Sequence, residues 1–539
     1  MAKAKKEKEV DLETVLWNCR VALRGVGNTD KNRDSVISLF FIKFASDKFE
    51  KRREEIKAQY GDVPAFLEKA SFYRAENVFY LTEETRWNYI VKCAGDDDIA
   101  VKLDKALKDI EDANPPLAGA LPQGIFATLG ASKESIKSLI DEVGKVDKKR
   151  FQEEDLIGRV YEYFLRIYAA AGTKEDGEFY TPASVVKLIA ELIEPYDGTV
   201  YDPCCGSGGM FVQSMKFVEK HNGNKKKISV MGQESVVDTW RLCKMNLAIR
   251  GISCDLGKKN DSTFTNDQHK DKKVDYIMAN PPFNLKKWRA EDALTDDPRF
   301  KGYSAMPPVS NANYAWILHM ISKLDETNGI AGFLLANGAL NAGAGGDDDD
   351  SERCEYLIRK DILERDKVEA IIVLPRDMFY TTDIPVTLWI INNNKKEREL
   401  NGRNLRNRKN QVLFMDLRSW DSNIEEIVID KNKKKKKTVF TDSQIEKVKE
   451  VYNNWQDIDT SKYHDIPEFC KSATLEDIEK QNYSLAPSKY IEFIDHDLEI
   501  DYEKEMQRIQ EEMKEVLATE MKSQDMLVKA FAGIGYGIK

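Results

Sequence analysis

Several classes of protein are excluded by what this chain lacks. Across its 539 residues no apolar run reaches the roughly 18 needed for a membrane span, so none is expected. The opening stretch, Met1 to Glu9, carries charge with no apolar segment behind it, so no secretory signal is expected either. Cysteines number only eight and are scattered, with no C-x-x-C pair and no Cys/His cluster at zinc spacing. The expectation is reduced thiols in a cytoplasmic protein without a metal site. An excess of basic charge is also missing: 82 Lys and Arg stand against 92 Asp and Glu, a net charge of −10. Phosphate neutralisation supplies most non-specific affinity for nucleic acid, so a chain that grips DNA over its whole face is excluded. A local basic cleft, or a basic partner, is not. No internal repeat is present.

What the chain does have is a hydrophobic fraction of 42% and 10% aromatics, enough for a sizeable core and for two or three domains. Residues 10–150 read as helical throughout. Val36 to Phe44 lies in a longer segment with apolar residues at helical spacing, and Ser132 is placed to cap a helix running to Val146. From about residue 150 the character changes. A helix over Glu154–Ala171 and another over Ala183–Ile193 flank a Gly-containing connection. Runs of strand length then alternate with helical stretches: Thr199–Asp202, Ile228–Glu234, a weak run at Ser253–Leu256, Val274–Asn280, Ile330–Ala336, Val368–Leu374 and Val386–Ile391. That alternation means βαβ units and a mostly parallel sheet. The last two runs are separated only by Pro375–Pro385, too short for a crossover helix, so an antiparallel pair is expected at the end of the sheet. The basic run Lys431–Lys437 and the acidic run Gly343–Asp350 read as surface loops. Asp497–Ala532 has a helical pattern and is either a docking helix or the closing helix of the core. The division is therefore 1–150, helical; 151–480, α/β; and 481–539, a helical tail.

Two motifs carry chemistry. Val200 to Phe211 is a strand, a glycine-rich turn (Asp202, Pro203, Cys204, Cys205, Gly206, Ser207, Gly208, Gly209) and the start of a helix. In a doubly wound sheet such a turn lies at the carboxyl edge, where ligands bind. No Lys-Ser/Thr follows the glycines, so it is not a phosphate-binding P-loop, and Phe211 stands where a dinucleotide fingerprint requires Gly or Ala. A carboxylate at Asp202 would repel a pyrophosphate but can accept hydrogen bonds from an amino-acid ammonium, as in S-adenosylmethionine. Glu234, at the end of the next strand, is placed to hold two ribose hydroxyls. Asp261, in Asn260-Asp261-Ser262, is a candidate contact to adenine or a surface loop.

The second motif is a buried strand ending in Asn280-Pro281-Pro282-Phe283. Two prolines stiffen the turn and cannot donate to a ladder. An exocyclic adenine amine is a poor nucleophile, because its lone pair is delocalised into the ring. The Asn280 side-chain oxygen and the Pro281 carbonyl can take its two hydrogens, favouring a pyramidal nitrogen aimed at a methyl sulfonium, while Phe283 offers a stacking face. A base in a duplex reaches such a pocket only by flipping out. The rest is alignment, and no general base is required before transfer.

In this order these residues resemble the N6-adenine DNA methyltransferases of the γ arrangement, in particular the modification (HsdM) subunits of type I restriction–modification systems. The resemblance extends to Leu16-Trp17 through Gly25 and Ser38 through Glu50, to Gly177-Glu178-Phe179-Tyr180-Thr181-Pro182 as a first cofactor segment, to Leu374-Pro375 with Phe379 and Ile384-Pro385, and to Tyr483 through Tyr490. It implies a Rossmann-like class I methyltransferase domain with a seven-stranded, mostly parallel sheet whose last strand is antiparallel. It also implies a specificity subunit that reads DNA, two modification subunits to each specificity subunit, and room for a restriction subunit to join them. The N-terminal domain would then help close around DNA and the tail would pack on the specificity subunit. Three other readings remain: a stand-alone adenine methyltransferase reading its site with residues 400–539, methylation of a protein glutamine or of RNA, and a catalytically silent structural subunit.

Overall fold

The computed structural model describes residues 12–146, 160, 163, 181–343, 350–379, 385–430, 433–494, 502–533 and 535–536. Two compact units result, Met1–Ile491 and Glu492–Lys539. Of the sequence-predicted helix Glu154–Ala171 only Val160 and Tyr163 are described, both helical, and the centre of the acidic run lies outside the described residues.

The N-terminal part is helical: α1 (Leu12–Ala22), α2 (Thr29–Tyr60), α3 (Ile99–Ala113) and α4 (Lys133–Gly144), with shorter helices between. Asn28 caps α2 by accepting from the Lys31 amide at 2.9 Å. The uninterrupted apolar run Leu39–Ile42 is buried on every face of α2, so this stretch of the helix runs through the core, while its last turns, Lys51–Tyr60, are largely exposed. Ser132 caps α4 as the sequence predicts, its Oγ accepting from the Ser135 amide at 3.2 Å. Its replacement by alanine should lower stability by about 1 kcal/mol, read as a small drop in thermal midpoint, and Ser132→Gly should cost only a few tenths.

The second part is built on one nine-stranded sheet. Its strands are β1 (Gly198–Asp202), β2 (Ile228–Gly232), β3 (Cys254–Asp255), β4 (Tyr276–Ala279), β5 (Ile330–Ala336), β6 (Val368–Val373), β7 (Val386–Asn392), β10 (Gln411–Asp416) and β13 (Cys470–Thr474), in the order β13-β10-β6-β7-β5-β4-β1-β2-β3. The seven expected strands stand together, and β7 runs antiparallel to both β5 and β6. Beyond them β10 adds in parallel to β6 and β13 antiparallel to β10, so the antiparallel pair is not at the edge of the sheet. The extension rests on strand pairing and on the burial of Val412 to Met415, and the buried carboxylate of Glu369 in β6 is satisfied by Arg408 Nε at 2.9 Å and Gln456 Nε2 at 3.1 Å from the later segment. Two small hairpins, β8 (Arg398–Leu400) with β9 (Arg403–Leu405) and β11 (Ile424–Asp430) with β12 (Lys433–Thr438), stand apart from the sheet.

That last hairpin corrects the reading of the basic run as a loop. Antiparallel pairing sets Glu425 opposite Lys437 and Glu426 opposite Lys436, and opposite charges across a strand pair favour extended structure where either run alone does not. Helices α5 (Ala183–Ile193), α6 (Gly209–Lys220), α7 (Val237–Ile249), α8 (Asn313–Lys323), α9 (Asp350–Glu364) and α10 (Asp442–Gln456), with a short helix Leu475–Lys480, pack in this part. Sheet strands such as β6 and β7 are buried at every position, which is why they read as continuous apolar runs rather than alternating ones. Leu242, Met245 and Ile249 of α7 belong to the core of the helical part, joining it to the sheet-bearing part.

The second unit carries one long helix, α11 (Tyr502–Gly533), along which Met513, Leu517, Met521 and Val528 are exposed. No described helix is long and apolar enough to cross a membrane.

Candidate active site

Strand β1 lies between β2 and β4, parallel to both and third from the β3 edge, so its carboxyl end opens inside the sheet rather than at its rim. The chain then turns through Gly206 at φ +52° and Gly208 at φ +82° before α6. At Gly208 glycine is required twice over, by that conformation and because a Cβ would stand 2.9 Å from Cys243 Sγ. The turn is tied to the neighbouring strand end by Gln233 N donating to Asp202 O at 3.1 Å and Cys205 N to Gln233 O at 3.0 Å. Asn246 of α7 holds it from behind, donating from Nδ2 to Ser207 O at 2.7 Å. The Phe211 ring fits against Gly232, whose Cβ, if present, would lie 2.9 Å from it.

A cleft of about 400 Å³ opens over this turn. Of the sequence-predicted residues it brings together Thr181, Asp202, Gly206, Ser207, Gly209 and Asn280, with Cys204, Cys205 and Met210 completing the wall. Pro182 caps α5 next to Thr181. The wall does not include Pro203, Gly208, Glu234, Asp261, Pro281, Pro282 or Phe283. Glu178, Phe179 and Tyr180 lie outside the described residues.

Asp202 is buried, and its carboxylate accepts the Cys204 amide at 3.0 Å. Burial pushes its pKa up to about 7. Glu234 stands one step behind, its two oxygens accepting from Gly206 N at 3.0 Å and Val236 N at 2.9 Å. Two carboxyl groups at adjacent strand tips, with no basic side chain in the wall among the described residues, suit a cationic ligand and oppose a pyrophosphate. Burial likewise pushes the Cys204 thiol well up, which leaves it protonated.

Asp261 is joined to this group through its backbone, N to Glu234 O at 2.9 Å, while its carboxylate is occupied locally by Asn266 Nδ2 at 2.7 Å and Lys259 Nζ at 3.0 Å. Gln233, which the sequence reading passed over beside Glu234, shapes this loop. Its amide donates to Asp261 O at 3.0 Å and Asn266 O at 2.8 Å and accepts from Gln268 N at 3.1 Å. Beneath the loop, Arg299 donates to Thr263 O at 2.9 Å and to His319 Nδ1 at 3.1 Å. Burial pushes the His319 pKa well down, and arginine cannot accept, so Nδ1 is the acceptor and Nε2–H donates to Tyr201 Oη at 3.1 Å.

Asn280 directly follows β4, beside the glycine turn at the same cleft. Its Nδ2 donates to Thr181 Oγ1 at 2.9 Å, and its Oδ1, buried at the cleft, has no partner among the described residues. Pro281 is buried, and Phe283 meets Phe379 edge-on with centroids 6.3 Å apart. Asn284, at φ +54°, is held by reciprocal bonds with Asn313, which fixes the chain leaving the turn. A glycine turn that excludes a Cβ, the Asp202 carboxyl in the cleft wall with Glu234 bracing the turn behind it, and an orphaned amide oxygen at the same cleft fit a sulfonium amino-acid nucleoside beside an amine.

Known proteins agree with this geometry. Residues 152–498 match the family described as N-6 DNA Methylase, and residues 12–143 match the HsdM N-terminal domain. The type I restriction enzyme HindI methylase subunit of Haemophilus influenzae is 37% identical over 448 residues, 81% of this chain and 93% of that one. The MjaIX methylase subunit of Methanocaldococcus jannaschii is 32% identical over 544 residues, 98% of this chain and 92% of that one. Among solved structures, the type I restriction-modification methyltransferase subunit from Streptococcus thermophilus superposes with a TM-score of 0.68 at 23% identity, covering 89% of this chain and 99% of that one, which shows the shared fold. With the cleft and its donors in place, the chain belongs to the N-6 DNA methylase family, among the type I modification subunits, and is an S-adenosylmethionine-dependent, adenine-N6-specific DNA methyltransferase.

Proposed function

We propose that this chain methylates a flipped-out adenine in double-stranded DNA as the catalytic subunit of a type I restriction–modification complex, in the cytoplasm. The observation that carries the reading is the buried Asn280 Oδ1, left without a partner among the described residues while its own Nδ2 is held. An orphaned acceptor in a buried position is costly unless a ligand donor meets it, and an adenine amine has two hydrogens to give. Asn280 Oδ1 and the Pro281 carbonyl take those hydrogens, and Phe283 stacks on the base. Asp202 holds the ammonium end of the cofactor, Glu234 its ribose hydroxyls, and the Thr181–Pro182 and Pro203–Gly209 segments line its path, with Asp261 at the adenine end. S-adenosylmethionine supplies an electrophilic methyl group on a sulfonium. The residues bind, align and keep water out, with no proton removed before transfer.

The net charge of −10 accords with delegated target recognition. A specificity subunit reads the DNA, two modification subunits serve each, and a restriction subunit joins the assembly. The apolar face of α11 suits docking on the specificity subunit, and the helical N-terminal domain closes around DNA. Methyl transfer from labelled S-adenosylmethionine to genomic DNA tests this. The chain alone should bind cofactor without marking DNA, and adding the specificity subunit should yield N6-methyladenine at one sequence. Sequence-specific methylation by the lone chain would overturn the delegation.

A further inference from the structure

The Asn280 amide has chemically opposite ends, and only one can serve an adenine amine. With Oδ1 toward the cleft it offers an acceptor to N–H. Rotated by half a turn it would offer two donors against two donors. In the structure Nδ2 donates to Thr181 Oγ1 at 2.9 Å, across 99 residues of sequence, and Oδ1 is the end left at the cleft. That contact does not by itself choose the orientation, because a hydroxyl both donates and accepts. The choice is made if the hydroxyl proton is engaged elsewhere. Thr181 lines the same cleft as Asp202, Gly206 and Ser207.

We propose that Thr181 is a positioning residue that relays cofactor occupancy to Asn280. The cofactor's amino-acid carboxylate, an acceptor with no proton, takes the Thr181 hydroxyl hydrogen. Oγ1 can then only accept, which locks Nδ2 toward Thr181 and Oδ1 toward the base. By reciprocity of linkage, the cofactor and the flipped adenine tighten each other's binding through this hydroxyl. The inference rests on the reading of Asn280 as the acceptor for the adenine amine.

The test compares Thr181→Val, which keeps the shape and removes the hydroxyl, with Thr181→Ser, which restores it, each in the complex with the specificity subunit. Three quantities are measured: kcat at saturating cofactor and DNA, the S-adenosylmethionine dissociation constant by calorimetry, and the factor by which sinefungin tightens binding of a target duplex. For Thr181→Val, kcat should fall about tenfold, the size of one lost hydrogen-bond restraint, and the sinefungin factor should drop to about one. The cofactor constant should weaken as well, by about tenfold, because the lost bond to the carboxylate is charge-assisted; kcat and the sinefungin factor, read at saturating cofactor, report the relay separately. Thr181→Ser should recover both kcat and the coupling. A Thr181→Val effect confined to the cofactor constant, or a Thr181→Val protein with normal kcat and normal coupling, overturns the relay. Asn280→Ala separates the layers: if it still turns over, the reading of Asn280 falls, and if it is inactive while Thr181→Val behaves as wild type, only the relay falls.

Discussion

An Asn280→Ala protein is expected to lose methyl transfer by on the order of 10²–10³-fold in kcat, comparable to removal of one preorganised polar group from an active site. The side chain does two things in the structure. Its Nδ2 is satisfied by Thr181, and its Oδ1 is the buried acceptor left at the cleft. Alanine removes both. What is lost belongs to the transition state, where the amine changes from planar to pyramidal and its hydrogens need acceptors in fixed directions. Cofactor affinity should therefore stay within about threefold of wild type, since binding shared by ground and transition states is untouched. Single-turnover transfer with labelled cofactor, beside calorimetry on the same preparation, reads both quantities. Turnover near the wild-type rate would remove Asn280 from the mechanism. A cofactor constant raised in step with the lost activity would move it from the base pocket to the cofactor site.

Asp202 should control cofactor binding and its pH dependence. Its carboxyl is buried and has the Cys204 amide as its hydrogen-bond donor at 3.0 Å, and burial pushes its pKa up to about 7. Only the ionised form pairs with an ammonium, and the cofactor's α-amino group loses its own proton near pH 7.8. Affinity should therefore be bell-shaped, with its maximum between the two pKa values and a loss of several-fold on the acid side. Asp202→Asn should abolish the acid limb and weaken binding by roughly 10–100-fold at the optimum, the range for a charge-assisted hydrogen bond. The sign for stability runs the other way. A folded-state pKa above the unfolded value means that the free protein binds the proton more tightly when folded. This group therefore favours folding as pH falls from 7 toward 4 and disfavours it above 7, until the cofactor's ammonium compensates the charge. Calorimetric titrations between pH 6 and 8.5 decide the matter: an unchanged dissociation constant in Asp202→Asn would take the residue out of the site.

Much of this molecule is determined by local sequence. The helix Ala183–Ile193 and the strand runs from Thr199 to Ile391 stand where hydrophobic periodicity puts them, because a segment buried on both faces must be apolar throughout whatever it packs on. Ser132 caps its helix because the capping bond spans only three residues. The glycine turn and the Asn-Pro-Pro-Phe turn are legible for the same reason, since each places its chemistry within a few consecutive residues. Tertiary structure alone decided what depends on distant partners. Lys433–Lys437 form a strand because Ile424–Asp430 fold back on them, a pairing that a lysine run taken alone does not carry, and β10 and β13 join the sheet by pairing with the earlier β6 and with each other. Gln233 becomes the organiser of the Asp261 loop, and Thr181 the partner of Asn280, through side-chain bonds spanning 28 and 99 residues. Periodicity records which face of an element is buried, and nothing in it records which atom of another element will meet a given amide there.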